Sequence, residues 1–188
     1  MKIALEMTTG ASPAVNEVAA ALSQLLPEIM GPDCRVERLG DLMESAFGQS
    51  GGNQFPAESL YHAGCSDVEA TAGHPDILHV GSCFCPMIIR KAKIIMTLDG
   101  ASAGLQSPPA LTSAAGRQVA AERQVAAFTG LFNAAVFGGD FICLDEAAAA
   151  GLAELFPHVA RSRIHPLPAG DKLVRAHAIA DLYRQLLL

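Results

Sequence analysis

The sequence predicts an α/β fold, a doubly wound parallel sheet with helices on both faces, and three observations predict it. Short aliphatic runs recur along the chain, at Lys2–Met7, at Ile77–Val80 and at Ala92–Leu98. Segments with apolar residues at helical spacing alternate with these runs. The run AKIIMTL (92–98) is apolar almost without interruption, which suits a central parallel strand covered on both sides. Strands alternating with helices imply parallel pairing through helical crossovers.

Each element follows in order. Lys2–Met7 is the first strand, and TTGASP (8–13) is a loop. Ser12 is placed to cap a helix with Pro13 at its first position, because the side-chain oxygen accepts a free backbone N–H and proline lacks one. From there Val15, Val18, Ala19, Leu22, Leu25 and Leu26 repeat at helical spacing, so one face packs on the sheet. Cys34–Leu39 alternates and forms the second strand.

Gly48–Gln54 reads as a flexible stretch, and 53–73 as irregular with one short helix near Ala57–His62. Ile77–Val80 is the third strand, Cys83–Lys91 a short helix and Ala92–Leu98 the fourth strand. Ser102–Pro109 is a loop. Arg117–Phe132 is helical, with Val119, Val125, Phe128 and Phe132 as its apolar stripe. Ala135–Leu144 holds the fifth strand. Asp145 caps a helix over Ala147–Phe156, and Ile164–Leu167 is the sixth strand. Asp171–Leu187 is a last helix whose stripe is Leu173, Val174, Ala178, Leu182 and Leu186. The pattern is that of a single Rossmann-like domain.

Bulk composition narrows the function classes. The chain has 188 residues, 51% apolar and 17% charged, a globular composition. The net charge is -6, and no basic cluster exceeds Arg90, Lys91 and Lys93, so a nucleic-acid partner is not expected. No stretch approaches the roughly 18 apolar residues of a membrane span. The first ten residues lack a signal-peptide core, and the five cysteines have no disulfide-framework spacing; a reduced, cytoplasmic protein is expected.

Two blocks carry a resemblance. HPDILHVGSCFCPMIIRKAKIIMTLDGAS (74–102) resembles the middle of the N-terminal domain of GT-B glycosyltransferases of family four, in which an acidic-aliphatic-His strand leads through a short helix and a basic turn to a second strand. NAAVFGGDFICLDEAAAAGLAELFPHVARSRIHPLPAG (133–170) resembles the strand, helix, F-P-x-V and P-x-G passage that runs into that family's interdomain linker. The start of the chain is similar to the family's first strand and glycine-containing loop. DLYRQLL (181–187) looks like its C-terminal helix, which crosses back onto the N-terminal domain. Residues 40–73 have no counterpart.

The resemblance implies a GT-B N-terminal-type domain over 1–170, with 171–188 as a helix packing back on it. It implies no donor-binding domain between these parts, and the family's E-x7-E motif has no matching region. Where the family has a T-x-H-D strand end, this chain has Thr97-Leu98-Asp99-Gly100, so Asp99 takes the place of an active-site histidine. The family's V-S-E stands here as Leu144-Asp145-Glu146.

Candidate site residues lie at the ends of strands, where open α/β sheets bind ligands. Asp99 is the catalytic candidate, since an acid in a cleft can act as a base or hold sugar hydroxyls; the plain alternative is a loop acid bonding local backbone. Thr9, Gly10, Ser82, Gly100 and Asp145 are the ligand-binding candidates. For Gly10 and Ser12 the plain alternative is a turn and a helix cap, and for Asp145 it is the cap alone.

No G-x-G-x-x-G or P-loop pattern occurs, and no cofactor is expected. Cys83-Phe84-Cys85 with His79 is not a complete zinc set, so no metal is expected and packing is the reading. His158 and His165 read as surface or core residues.

The function implied is an acceptor-side glycosyltransferase domain, incomplete for catalysis alone. Its partners would be a donor-domain subunit and a sugar or lipid-linked acceptor. The alternative is a non-enzymatic Rossmann-like module that forms a homodimer through the vacated interdomain face.

Overall fold

The short aliphatic runs do form one sheet. The computed structural model describes residues 1–6, 12–40, 74–81, 92–100, 128–136 and 138–188. The strands are β1 (Lys2–Glu6), β2 (Arg35–Leu39), β3 (Ile77–Val80), β4 (Lys93–Leu98), β5 (Asp140–Cys143) and β6 (Ile164–Pro166). All pair in parallel, in the order β2-β1-β3-β4-β5-β6. The helices are α1 (Pro13–Met30), α2 (Glu146–Leu155) and α3 (Lys172–Leu186); residues 128–136 are also helical.

Side chains alternate across each strand, and the two faces build two cores. Ile3, Leu5, Ile77, Ile95 and Ile142 meet α1 and α3. Ala4, Leu78, Val80, Met96, Leu98, Phe141 and Cys143 meet α2 and the helical residues 128–136. The strand order explains the division. From β1 to β2 the chain steps one way across the sheet, and from β3 to β6 it steps the other way. Right-handed crossovers therefore put the intervening helices on opposite faces. The fold is Rossmann-like, and the direction reverses between β1 and β3.

Local chemistry sets the helix ends. The Ser12 hydroxyl oxygen accepts the Val15 N–H at 3.3 Å, and Pro13 occupies the first turn of α1. The helix stops at Gly31, whose φ of 89° suits glycine and whose N–H donates to the Pro27 carbonyl. Asp145 caps α2 through the Ala148 N–H at 2.7 Å. Asp171 caps α3 through the N–H groups of Leu173 and Val174, both at 3.0 Å.

Arg163 closes the other end of the helical residues 128–136. Its Nε donates to the Gly139 carbonyl at 2.8 Å, and its Nη atoms donate to the carbonyls of Ala134 and Ala135 at 3.1 Å. These are carbonyls that a helix end leaves without intrahelical partners. Gly139 is confined here, because a Cβ on it would lie 2.9 Å from the Ala134 carbonyl oxygen.

Two expected apolar stripes differ from those observed. In α3 the buried residues are Ala176, Ile179, Ala180, Leu182 and Tyr183, whereas Leu173 and Val174 are 47% and 45% exposed. The buried face combines two alanines with Ile179, Leu182 and Tyr183, and the two aliphatics of the first turn lie off it. The helix expected to end at Phe132 continues to 136. Leu131, Ala134 and Ala135 of this segment join the core, while Phe128 and Phe132 stay partly exposed, each leaning on Phe156. Val119, Val125, the helices expected at Ala57–His62 and Cys83–Lys91, and the loops at Gly48–Gln54 and Ser102–Pro109 lie outside the described residues.

Candidate functional site

In a parallel sheet every crossover leaves from the C-terminal ends of the strands, so loop residues collect along that edge. Glu6 ends β1, Gly81 follows β3, Asp99 and Gly100 follow β4, and Asp145 follows β5 by two residues. Glu6 is buried beside the point where the strand order reverses, and its Oε2 accepts the Gly81 N–H at 2.9 Å. Asp99 is buried, 7% exposed, directly after β4. Two strand spacings separate β1 from β4, roughly 10 Å across the sheet.

Gly100 and Asp145 are brought together. The Gly100 N–H donates to Asp145 Oδ2 at 2.9 Å, and Asp145 Oδ1 caps α2. A Cβ on Gly100 would lie 3.1 Å from the Ala147 Cβ and 3.2 Å from Asp145 Oδ1, a tight contact that glycine avoids. Each oxygen of Asp145 thus holds one backbone N–H and keeps capacity to accept a further hydrogen bond. Thr9, Gly10 and Ser82 lie outside the described residues, as do Cys83 and Cys85.

Beneath the edge sits a buried polar chain. His79 of β3 is bonded through Nδ1 to the Tyr183 hydroxyl of α3, and through Nε2 to Thr97 Oγ1 of β4 at 2.5 Å. One ring nitrogen of a neutral imidazole donates and the other accepts, and each hydroxyl can do either. Burial pushes the His79 pKa down to about 3, so the ring is neutral, and burial also holds the Tyr183 phenol well above its usual value. With both nitrogens engaged inside the core, His79 is not disposed to bind a metal. Among the described residues no group of three His, Cys, Asp or Glu side chains could hold a metal ion.

His165 pairs with Asp140 at 2.7 Å across β5 and β6, and His158 packs edge-on against Phe156. Both positions have a packing account.

Sequence reasoning missed Glu6. The available signal was an acid closing an otherwise aliphatic strand just before a loop. The sequence places His79 near two cysteines, yet its bonded neighbours come from β4 and α3.

The architecture and this edge define the class: a Rossmann-like α/β domain whose acidic and glycine residues line the C-terminal ends of a six-stranded parallel sheet. No protein family, curated protein or solved structure matches the chain. No helix among the described residues is long and apolar enough to cross a membrane.

Proposed function

We propose that this chain is an acceptor-side domain of the GT-B glycosyltransferase type, incomplete for catalysis alone. The observation that carries the reading is the C-terminal sheet edge, where Asp99 and the joined Gly100–Asp145 pair stand beyond β4 and β5. Carboxylates at such an edge accept hydrogen bonds from sugar hydroxyls, and an acid placed beside an acceptor hydroxyl can take its proton as it attacks. Asp99 has that role here, and Asp145 with Gly100 positions the acceptor. The nucleotide-sugar is held by a partner chain or a separate donor domain. The order of elements from β3 to α3 and the return of α3 onto α1 support the assignment.

Titration of the chain with methyl glycosides and with UDP- and GDP-sugars, followed by amide NMR, tests it. Glycosides should shift the Asp99, Gly100 and Asp145 amides at millimolar concentration, and Asp99→Asn should weaken the response. Nucleotide-sugars should leave the spectrum unchanged. Tight nucleotide-sugar binding by the chain alone, or no response to any glycoside, overturns the reading. Light scattering separates it from the assembly alternative, for which a stable homodimer is the expected result.

A further inference from the structure

α1 and α3 lie side by side and run in the same direction. Their C-terminal halves are drawn together by a buried Leu26, Leu182 and Tyr183, and by the bond from Arg184 Nη2 to the Ile29 carbonyl at 2.9 Å. Their N-terminal halves meet through small residues, Ala21 and Ala176, and leave a groove of about 350 Å³. The floor is aliphatic, from Val18, Leu22 and Ile179, while Glu17 of α1 and Lys172 and Arg175 of α3 line the rim. None of the sheet-edge candidates lines this groove.

Among the residues lining this groove, Arg175 has no structural account. Its Nε is buried and has no hydrogen-bond partner, and among the described residues its guanidinium forms no ion pair. A buried charged donor left unmade is costly, and native proteins rarely keep one without a use. The first N–H groups of α3 are already taken by Asp171, so the helix end is not the open feature.

We propose that this groove binds a small monocarboxylate with an aliphatic body. The Arg175 guanidinium lines the groove, and its planar set of N–H groups matches the two oxygens of a carboxylate. Lys172 adds a second positive charge, and the aliphatic floor receives the chain. Glu17 on the opposite rim disfavours a second negative charge, which selects a monoanion over a phosphate dianion. The inference goes beyond the glycosyltransferase reading and does not depend on it.

Isothermal titration of the full chain with octanoate, octanol and inorganic phosphate tests the proposal. Octanoate should bind at one saturable site, and octanol and phosphate should bind much more weakly. Arg175→Gln should weaken octanoate by about tenfold or more, and Glu17→Gln should tighten it. If Arg175→Gln does not fold by circular dichroism, Lys172→Gln at its exposed position takes its place, with weaker binding expected. The proposal is overturned if octanoate gives no saturable binding up to roughly 10 mM. Equal binding of octanol or phosphate also overturns it, as does unchanged affinity in the charge variants.

Discussion

Glu6 at the end of β1 accepts the backbone N–H of Gly81 at the end of β3, and so ties together the two strands between which the sheet reverses direction. The bond is buried, and its loss leaves a donor with no access to water. Glu6→Ala should therefore destabilise the domain by about 1–3 kcal/mol, while Glu6→Gln, which keeps an acceptor oxygen, should cost less. Urea unfolding midpoints of the two variants check this, and equal midpoints would count against the bond.

The Tyr183–His79–Thr97 chain should behave as one unit. Tyr183→Phe and Thr97→Val each strip one ring nitrogen of its partner, and each should cost about 1–3 kcal/mol. The double variant should cost less than the sum, because the residues share one imidazole. A double-mutant cycle in urea measures the coupling, and strict additivity would argue that the two bonds are independent.

Acid should act through the same histidine. In the unfolded chain the imidazole takes up a proton near pH 6.5; in the folded protein it stays neutral down to about pH 3. The unfolded state thus binds more protons between these values. The His79 contribution is fully present above pH 6.5 and drains away as pH falls toward 3, by roughly 1.4 kcal/mol per pH unit. His79→Gln should flatten the stability profile over this window relative to the parent chain. A profile with the same slope in both proteins would contradict the assignment.

How far the fold was legible follows the range of the interactions involved. Ser12 and Asp145 were readable as caps because a cap bonds an N–H three residues away. The strand at Lys93–Leu98 was readable because a strand buried on both faces needs a nearly unbroken apolar run. Leu173 and Val174 misled because helical spacing gives a face without saying which neighbour covers it. The tie from Glu6 to Gly81 spans 75 positions, and that from His79 to Tyr183 spans 104. Such pairs exist only once the sheet has ordered its strands. Asp99 and Asp145 were legible as strand-end acids, but the close approach of Gly100 to Asp145 is a property of packing.

The buried thiols should be silent until the protein opens. Burial, with the nearby Asp145 charge, pushes Cys143 up to about 11, and burial raises Cys34. At neutral pH almost none of the reactive thiolate is present in either. Iodoacetamide followed by peptide mass spectrometry should leave both unmodified in buffer and modify both in urea. Rapid native labelling of Cys143 would mean that β5 opens locally.

The place of α3 in the chain also has a bearing on biosynthesis. It follows the final strand, yet it supplies Ala176, Ile179, Ala180 and Tyr183 to the layer that α1 begins to form far upstream. During translation the N-terminal strands and α1 emerge with that surface open, and the imidazole of His79 has no phenol to meet. The layer is therefore complete only once α3 has been made, well after α1. A nascent chain halted before α3 should be held by chaperones and cut by proteases at sites that the finished protein conceals.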